Sequence, residues 1–227
     1  AKLNEFQARV LRGLFKPAAG DDEDLVALIF QRAADTQKGM NVAGDLRYVT
    51  PGGFADFEDV DGLDLTSPVL EQFPEHARAR MAAFMPGGPY ARILAKKRVV
   101  AVVGDSVFAH GGLLEHHVVY GLDKINEDTA AWMRADADPP MILNGADSPI
   151  WTRVFSQDPT DCEALSGMLE LLGVKRLIVG HTPQLDGMTS ACDGKVWRID
   201  VGMAAHYGGV PAALEIDGEE VHVMKMD

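Results

Sequence analysis

The chain is poor in features that define several large protein classes. Its 227 residues contain only two cysteines, Cys162 and Cys192, which cannot build a disulfide framework and favour a reducing compartment. No apolar run approaches the roughly 18 residues that a membrane-spanning helix needs. Basic residues are outnumbered, with 21 Lys and Arg against 34 Asp and Glu. The resulting net charge of −13 attracts neither nucleic acid nor an anionic membrane.

Short catalytic motifs are also missing. The sequence holds no Gly-x-Ser-x-Gly elbow, no Walker-type phosphate loop and no Cys-x-x-Cys pair, so serine-triad hydrolysis, nucleotide-loop chemistry and a cysteine zinc site have no support. The chain begins at Ala1 without a charged and then apolar leader, and we expect any targeting segment to have been removed or never to have existed. The composition itself, 47% hydrophobic and 24% charged, is that of a globular protein.

The hydrophobic pattern predicts a helical start and a sheet-rich end within one mixed α/β domain. We predict helices at 4–15, 21–34, 124–134 and 165–172, and a helical segment at 69–84 that is interrupted at Pro74. We predict strands at 99–103, 106–109 and 175–179, and hairpins around Gly104-Asp105, Asp193-Gly194 and Asp217-Gly218. Thr160-Asp161-Cys162-Glu163 fits a capping box ahead of the last helix, with Gly173 as its C-cap. The Asp-Gly turns predict mostly antiparallel connections between the strands.

Two histidines follow predicted strands, and each has glycine beside it. His110 ends one strand and precedes two glycines, while His181 follows another strand after Gly180. A histidine at a strand end is held rigidly, and neutral imidazole is the commonest metal ligand, so the two loops could converge on one ion. Each side chain could equally be a hydrogen-bonded turn histidine.

Three other positions are weaker candidates. Arg153, flanked by apolar and aromatic residues, could grip a phosphate with paired N–H groups or form a structural ion pair. Asp200 ends a predicted strand near a glycine and could orient a metal-bound histidine or simply form a turn. His116-His117 lies in a polar stretch, and we expect both rings on the surface.

Five blocks stand in order along the chain. They are residues 40–51, 107–113, 147–153, 179–184 and 192–203. Together they resemble the Shewanella-like protein phosphatases of the calcineurin-like metallophosphoesterase superfamily. The resemblance implies an α/β fold, a β-sandwich flanked by helices, with two divalent metals (Mn, Fe or Zn) that activate a water for phosphomonoester hydrolysis. It matches His110 and His181 to metal ligands and Arg153 to the arginine that holds the substrate phosphate.

Three upstream motifs that the resemblance leads us to expect are missing from the sequence. Gly-Asp-x-His-Gly and Gly-Asn-His-Glu do not occur, and Gly20-Asp21-Asp22-Glu23 looks like the tail of Gly-Asp-x-x-Asp-Arg-Gly without its metal-binding Asp and its Arg. One metal would lose every identified ligand, and the other would keep two imidazoles without a bridging carboxylate. The general-acid histidine of the third motif would be lost as well. We therefore predict that the chain is not an efficient phosphatase.

We predict a single domain of residues 1–227. Within it, residues 1–39 form a degenerate helical segment, and residues 40–227 carry the resemblance. Three functions stay open for this domain. The first is an inactive phosphatase relative, a structural or docking subunit whose protein partner covers an open sheet edge where the N-terminal strands are incomplete. The second is an active metal-dependent phosphatase whose N-terminal segments are absent from this chain. The third is a small-ligand binding domain. The plant and algal members of the family suggest a plastid or mitochondrion, and the cytoplasm stays open as an alternative.

Overall fold

A computed structural model describes residues 62–204 and 206–225, all of them within one compact unit, residues 54–227. The helices predicted at 4–15 and 21–34, and the whole degenerate segment of residues 1–39, lie outside the described residues. No helix in the described ranges is long and apolar enough to cross a membrane.

The described chain begins with a helical segment interrupted by proline, as the sequence predicts. A 3₁₀ turn, Pro68–Gln72, precedes helix α1, Glu75–Phe84, and Pro74 separates the two. Helix α2, Pro89–Leu94, is not predicted, because the run of proline and glycine before it indicates the end of helical structure. Proline is nevertheless well suited to the first turn of a helix, where its missing N–H has no intrahelical partner.

The main sheet has five strands in the order β1-β2-β3-β5-β4. They are β1 Val100–Val103, β2 Ser106–Ala109, β3 Arg176–Val179, β4 Thr189–Ala191 and β5 Val196–Arg198. The β1–β2 and β4–β5 hairpins are antiparallel, as the Gly104-Asp105 and Asp193-Gly194 turns predict. As predicted, most of the described strand pairs are antiparallel, but the two central pairs, β2–β3 and β3–β5, are parallel. Long crossovers make these pairs, and no local signal marks them.

Three helices cover one face of the main sheet. They are α3 Glu115–Tyr120, α4 Leu122–Met133 and α5 Cys162–Leu172. Val107, Leu177 and Val196 from the sheet pack with Ile125 and Leu165 from the helices in one fully buried cluster. This cluster fixes the strands, and therefore the loops at their carboxyl ends, relative to the helices.

Helix α5 shows how close the predicted capping comes to the observed one. Gly173 is its C-cap in the left-handed conformation, as predicted. The N-cap is Asp161, whose carboxylate accepts from the backbone N–H groups of Glu163 and Ala164, so the capping box that placed Thr160 at this position is wrong by one residue. Thr160 is free to bond elsewhere.

A separate two-stranded sheet follows. Its strands, β6 Ala212–Asp217 and β7 Glu220–Lys225, form the hairpin predicted at Asp217-Gly218. The turn of this hairpin meets the start of β3: the Arg176 guanidinium donates to the Gly218 carbonyl across 3.2 Å, and Lys175 pairs with Glu219.

The two cysteines form a disulfide, which corrects the expectation from the sequence. Cys162 at the start of α5 and Cys192 in the β4–β5 turn have Cα atoms 5.4 Å apart and joined sulfurs. A spacing of 30 residues carries no sign of this closeness, because the fold brings the two segments together. One bridge is not a framework, but it removes the argument for a reducing compartment.

Candidate functional site

The three parallel strands β2, β3 and β5 end at one edge of the main sheet, and each is followed by a candidate residue. His110 comes directly after β2, His181 follows β3 by two residues, and Asp200 follows β5 by two residues. Ligand sites in sheets of this kind form outside the carboxyl ends of parallel strands. The fold therefore brings together positions that are separate candidates in the sequence.

His110 and His181 lie side by side at this edge. Their ring centroids are 4.9 Å apart, and the Gly180 N–H donates to the His110 carbonyl across 2.9 Å. His181 has φ 65°, a left-handed conformation that non-glycine residues adopt at a cost and that clusters at functional sites. This turn carries the His181 ring toward the neighbouring loop.

The glycines after His110 let another segment approach closely. The N–H groups of Gly111 and Gly112 both donate to the Pro149 carbonyl, at 2.8 and 3.1 Å. A Cβ at Gly111 would lie 2.7 Å from the backbone nitrogen of Trp151, so a side chain there would push this segment away. The glycine pair thus places residues 149–153 against the histidines.

Trp151 and Arg153 reach the site through this segment. The Trp151 ring centroid is 4.8 Å from that of His181, and the Arg153 guanidinium carbon lies 5.0 Å from the Trp151 ring. Arg153 also donates to the Trp151 carbonyl at 3.4 Å. In the described ranges 62–204 and 206–225 the guanidinium has no carboxylate partner, so the structural ion pair considered from the sequence has no support there. The stacked arginine keeps donors for an anion.

The electrostatics of His181 favour its neutral form. Burial, and then the charges of Arg153 and His110, lower its pKa, while Asp200 opposes the shift. Its Nε2 is buried and has no hydrogen-bond partner among the described residues. A neutral imidazole with an unpaired buried nitrogen suits a metal ion, which needs the free lone pair.

The described residues supply only some of the ligands that a metal centre needs. They contain no cluster of three or more His, Cys, Asp or Glu side chains that could hold an ion. Asp200 does not bond either histidine: its Oδ1 accepts from the Gly202 N–H at 3.0 Å, and its carbonyl accepts from the Gln184 N–H. It acts as a turn-forming aspartate that also influences His181 through its charge. The fit to a metal is therefore limited to the imidazole pair.

The expectation that His116-His117 lies on the surface is wrong for His117. Its side chain is fully buried in helix α3, and its Nδ1 accepts from the Leu114 N–H at 3.0 Å. Burial lowers the pKa of His117 to about 4, with a further contribution from His116 and opposition from Asp147. His116 is exposed, as expected. The expectation rested on the polar character of this stretch, whereas the chain forms a short helix that turns the His117 side chain inward.

Two features of the site were not predicted. The sequence marks Trp151 only as a neighbour of Arg153, yet its ring contacts both the arginine and His181. Ser156 and Thr182 share a hydrogen bond of 2.7 Å between their hydroxyl oxygens, which joins the Arg153 segment to the loop of His181. Thr182 stands directly after the candidate residue His181, and this position could have marked it as part of the site. Nothing in the sequence identified Ser156 as its hydrogen-bond partner.

Known proteins resemble this chain in sequence, although no protein-family profile matches it. Shewanella-like protein phosphatase 2 of Arabidopsis thaliana is 40% identical over 211 residues, covering 78% of this chain and 54% of that protein. An uncharacterized protein of Schizosaccharomyces pombe is 28% identical over 188 residues, covering 78% and 52%. The chain thus spans about half the length of these two relatives.

Solved structures show the same fold. The crystal structure of a cold-active protein tyrosine phosphatase of the psychrophile Shewanella sp. has a TM-score of 0.52 and 18% identity, covering 72% of this chain and 55% of that one. A mutant of a cold-active protein tyrosine phosphatase gives the same values. The chain is therefore similar in sequence to a Shewanella-like protein phosphatase and shares its fold with these cold-active protein tyrosine phosphatase structures.

Proposed function

We propose that the chain carries one half of a phosphomonoesterase site, with Arg153 to bind a phosphate and the His110–His181 pair to hold one metal ion. The observation that carries the proposal is the buried, unpaired Nε2 of His181 beside a stacked arginine without a carboxylate partner in the described ranges. Arginine binds phosphate oxygens through paired N–H groups, so both halves of the required chemistry meet at one sheet edge.

A bound divalent ion would lower the pKa of a coordinated water and neutralise charge on the phosphoryl oxygens. The chain's own residues would hold and orient the reactants. His181 would present its neutral imidazole, Trp151 would keep the Arg153 guanidinium beside the phosphate, and the Gly111-Gly112 turn would let both approach. Manganese, iron and zinc all accept imidazole ligands, and the pair does not select among them.

On this proposal the chain alone is not an efficient hydrolase, because two neutral ligands bind an ion weakly and position no nucleophile. A structural or docking role in a larger assembly is then the first candidate. Its support is the outer edge of β1, which has no strand partner among the described residues and ends in the exposed Val102 and Val103. A protein partner that covers this edge would belong to such an assembly.

Active hydrolysis is the second candidate, and the relatives favour it. The Arabidopsis relative is named a protein phosphatase, and the Shewanella structure is that of a protein tyrosine phosphatase. If the missing carboxylate and amide ligands come from another segment, the same residues would serve a phosphorylated protein, with Trp151 available to stack on a phosphotyrosine ring.

The test is a paired measurement on the full chain: binding of inorganic phosphate by calorimetry, and hydrolysis of p-nitrophenyl phosphate with manganese added. Phosphate binding that is lost in Arg153→Ala, without hydrolysis, supports the inactive half-site. Hydrolysis that is lost in His110→Ala supports the active alternative. The matched control is His222→Ala, which removes an exposed imidazole on β7. No phosphate binding and no hydrolysis would overturn the proposal and leave a small-ligand domain as the remaining function.

A further inference from the structure

We propose that Arg198 is a positioning residue that fixes the Arg153 segment against the strand edge of His181. The inference rests on the proposed function, since it assigns the reason why Arg153 stays beside the imidazole pair. Arg198 itself touches neither histidine in the described contacts, so its effect on the site runs through the segment 153–160.

Arg198 is buried, yet almost all of its hydrogen bonds go to this one segment. Its side chain is on β5 and the residue is only 4% exposed. Nε donates to the Phe155 carbonyl at 3.1 Å, and one terminal nitrogen donates to the Gln157 carbonyl at 3.2 Å. The same nitrogen reaches the Asp158 carboxylate at 2.8 Å and the Thr160 hydroxyl.

These hydrogen bonds of Arg198 do more than neutralise the charge of a carboxylate. Asp158, the one carboxylate in an ion pair with Arg198 in the described ranges, is 75% exposed and therefore contributes little as an ion pair. A side chain that bonds these backbone carbonyls together needs several N–H donors at fixed angles in one plane. The arginine guanidinium has this planar arrangement, and lysine does not. A buried guanidinium is costly unless such bonds are made, so the segment and Arg198 order each other.

The register of the sheet connects this anchor to the site. Arg198 pairs with Val179 on β3, two residues before His181. A second connection lies on the other side of the segment, where the Ser156 hydroxyl bonds Thr182 at 2.7 Å. The Ser156 N–H also donates to the Arg153 carbonyl at 3.1 Å. The segment is thus held from β5 and from the His181 loop at once, and Arg153 is attached directly to the held residues.

The chain offers a matched control for this test. Arg176 is also a buried arginine, 5% exposed, in the same sheet. Its guanidinium donates to the Gly218 carbonyl at the opposite end of the strands, away from the Arg153 segment. Arg176→Met therefore removes a buried guanidinium and lowers stability without touching the candidate site.

The experiment uses the full chain and measures binding of inorganic phosphate in wild type, Arg198→Met, Arg198→Lys and Arg176→Met. We expect Arg198→Met to weaken phosphate binding roughly tenfold or more, since small displacements of a binding group cost that much. Arg198→Lys should recover some of the loss because it keeps the charge. Arg176→Met should stay within about twofold of wild type even where its melting temperature falls equally. Equal affinities in Arg198→Met and wild type, or equal losses in both methionine variants, would overturn the inference.

A second readout separates this inference from the proposed function. Amide hydrogen exchange at Ser156 reports the order of the segment without any ligand. Faster exchange in Arg198→Met but not in Arg176→Met supports the positioning role even if wild type binds no phosphate, in which case only the proposed function fails. Unchanged exchange at Ser156 in Arg198→Met would reject the positioning role. If Arg198→Met does not fold, Arg198→Lys replaces it in both measurements, with a smaller effect expected in the same direction, because lysine cannot make the same set of carbonyl bonds.

Discussion

The Gly180 N–H donates a hydrogen bond to the His110 carbonyl across 2.9 Å, so the loops that carry the two histidines are joined by their backbones. The imidazoles are therefore not needed to hold the loops together. Removing a ring should change what the site can bind more than how it folds.

We accordingly expect His110→Ala to leave the free energy of unfolding within about 0.5 kcal/mol of wild type, because the ring is exposed and the backbone bond remains. Cobalt binding, followed by its visible absorption, should be lost in the same variant. Chemical denaturation measures the first quantity. A large loss of stability would show that the ring, and not the backbone, joins the loops.

Gly111→Ala should disturb the site through the backbone. The added Cβ would lie 2.7 Å from the Trp151 nitrogen, and overpacking of this kind costs about 1–3 kcal/mol. The tryptophan fluorescence should shift as the segment moves. Gly167→Ala is the matched control: it lies in α5 with no atom within 4 Å of the added Cβ and should stabilise by roughly 0.5–1 kcal/mol. Equal behaviour of the two variants would contradict the close approach at Gly111.

Trp151→Leu should weaken phosphate binding without abolishing it. The lost stacking on Arg153 is worth about 0.5–1 kcal/mol at an exposed site, which corresponds to roughly two- to fivefold in affinity. Trp151→Phe keeps an aromatic face and should lose less. Calorimetric titration with inorganic phosphate checks the order of the three proteins, and an unchanged affinity in the leucine variant would mean that Arg153 is held by other groups.

The buried His117 should make the protein sensitive to mild acid. Its pKa is about 4 in the folded state against 6.5 unfolded, so between these values the unfolded chain binds more protons and stability falls as pH decreases. The stabilisation present above pH 6.5, up to about 3 kcal/mol, is lost progressively toward pH 4. His117→Asn can still accept from the Leu114 N–H and cannot be protonated.

Denaturant unfolding between pH 7 and 4.5 tests this, with His222→Asn as the control for an exposed ring. The slope of stability against pH should be shallower in His117→Asn and unchanged in the control. A slope that is the same in all three proteins would place the acid sensitivity elsewhere.

Reduction of the disulfide should destabilise the fold. A bridge across 30 residues restricts the unfolded chain by an amount worth about 3–4 kcal/mol in the chain-entropy account. Melting temperatures with and without a reducing agent, compared with a Cys162→Ala/Cys192→Ala variant that should be insensitive to it, give the measurement. Two free thiols by alkylation of the unreduced protein would contradict the bridge itself.

The sequence was informative where the signal is local. The Gly104-Asp105 and Asp193-Gly194 turns identified hairpins, and the strand-histidine-glycine pattern led us to consider that the loops of His110 and His181 converge, with 4.9 Å now between their rings. Local chemistry decides a turn or a strand end, so these features are readable one residue at a time.

The features that the sequence did not predict depend on contacts between residues that lie far apart in the chain. The parallel pairing of β2 with β3, the bridge from Cys162 to Cys192 and the bonds from Arg198 to Phe155 all join segments that the chain separates widely. Helix α3 was not predicted for a different reason, because its 6 residues are too few to show a clear helical periodicity.

The side chain of Asn126 has a consequence for assembly. Its amide accepts from the Val100 N–H at 3.1 Å and donates to the Val100 carbonyl at 2.9 Å, as a neighbouring strand would. Because outward-facing backbone groups alternate along an antiparallel strand, Val102 is the next residue of β1 that faces outward, and β1 ends at Val103. A fibril or a swapped strand would therefore find almost no unpaired backbone N–H and C=O groups along the outer edge of β1. An incoming protein would have to recognise the valine side chains instead of adding a strand.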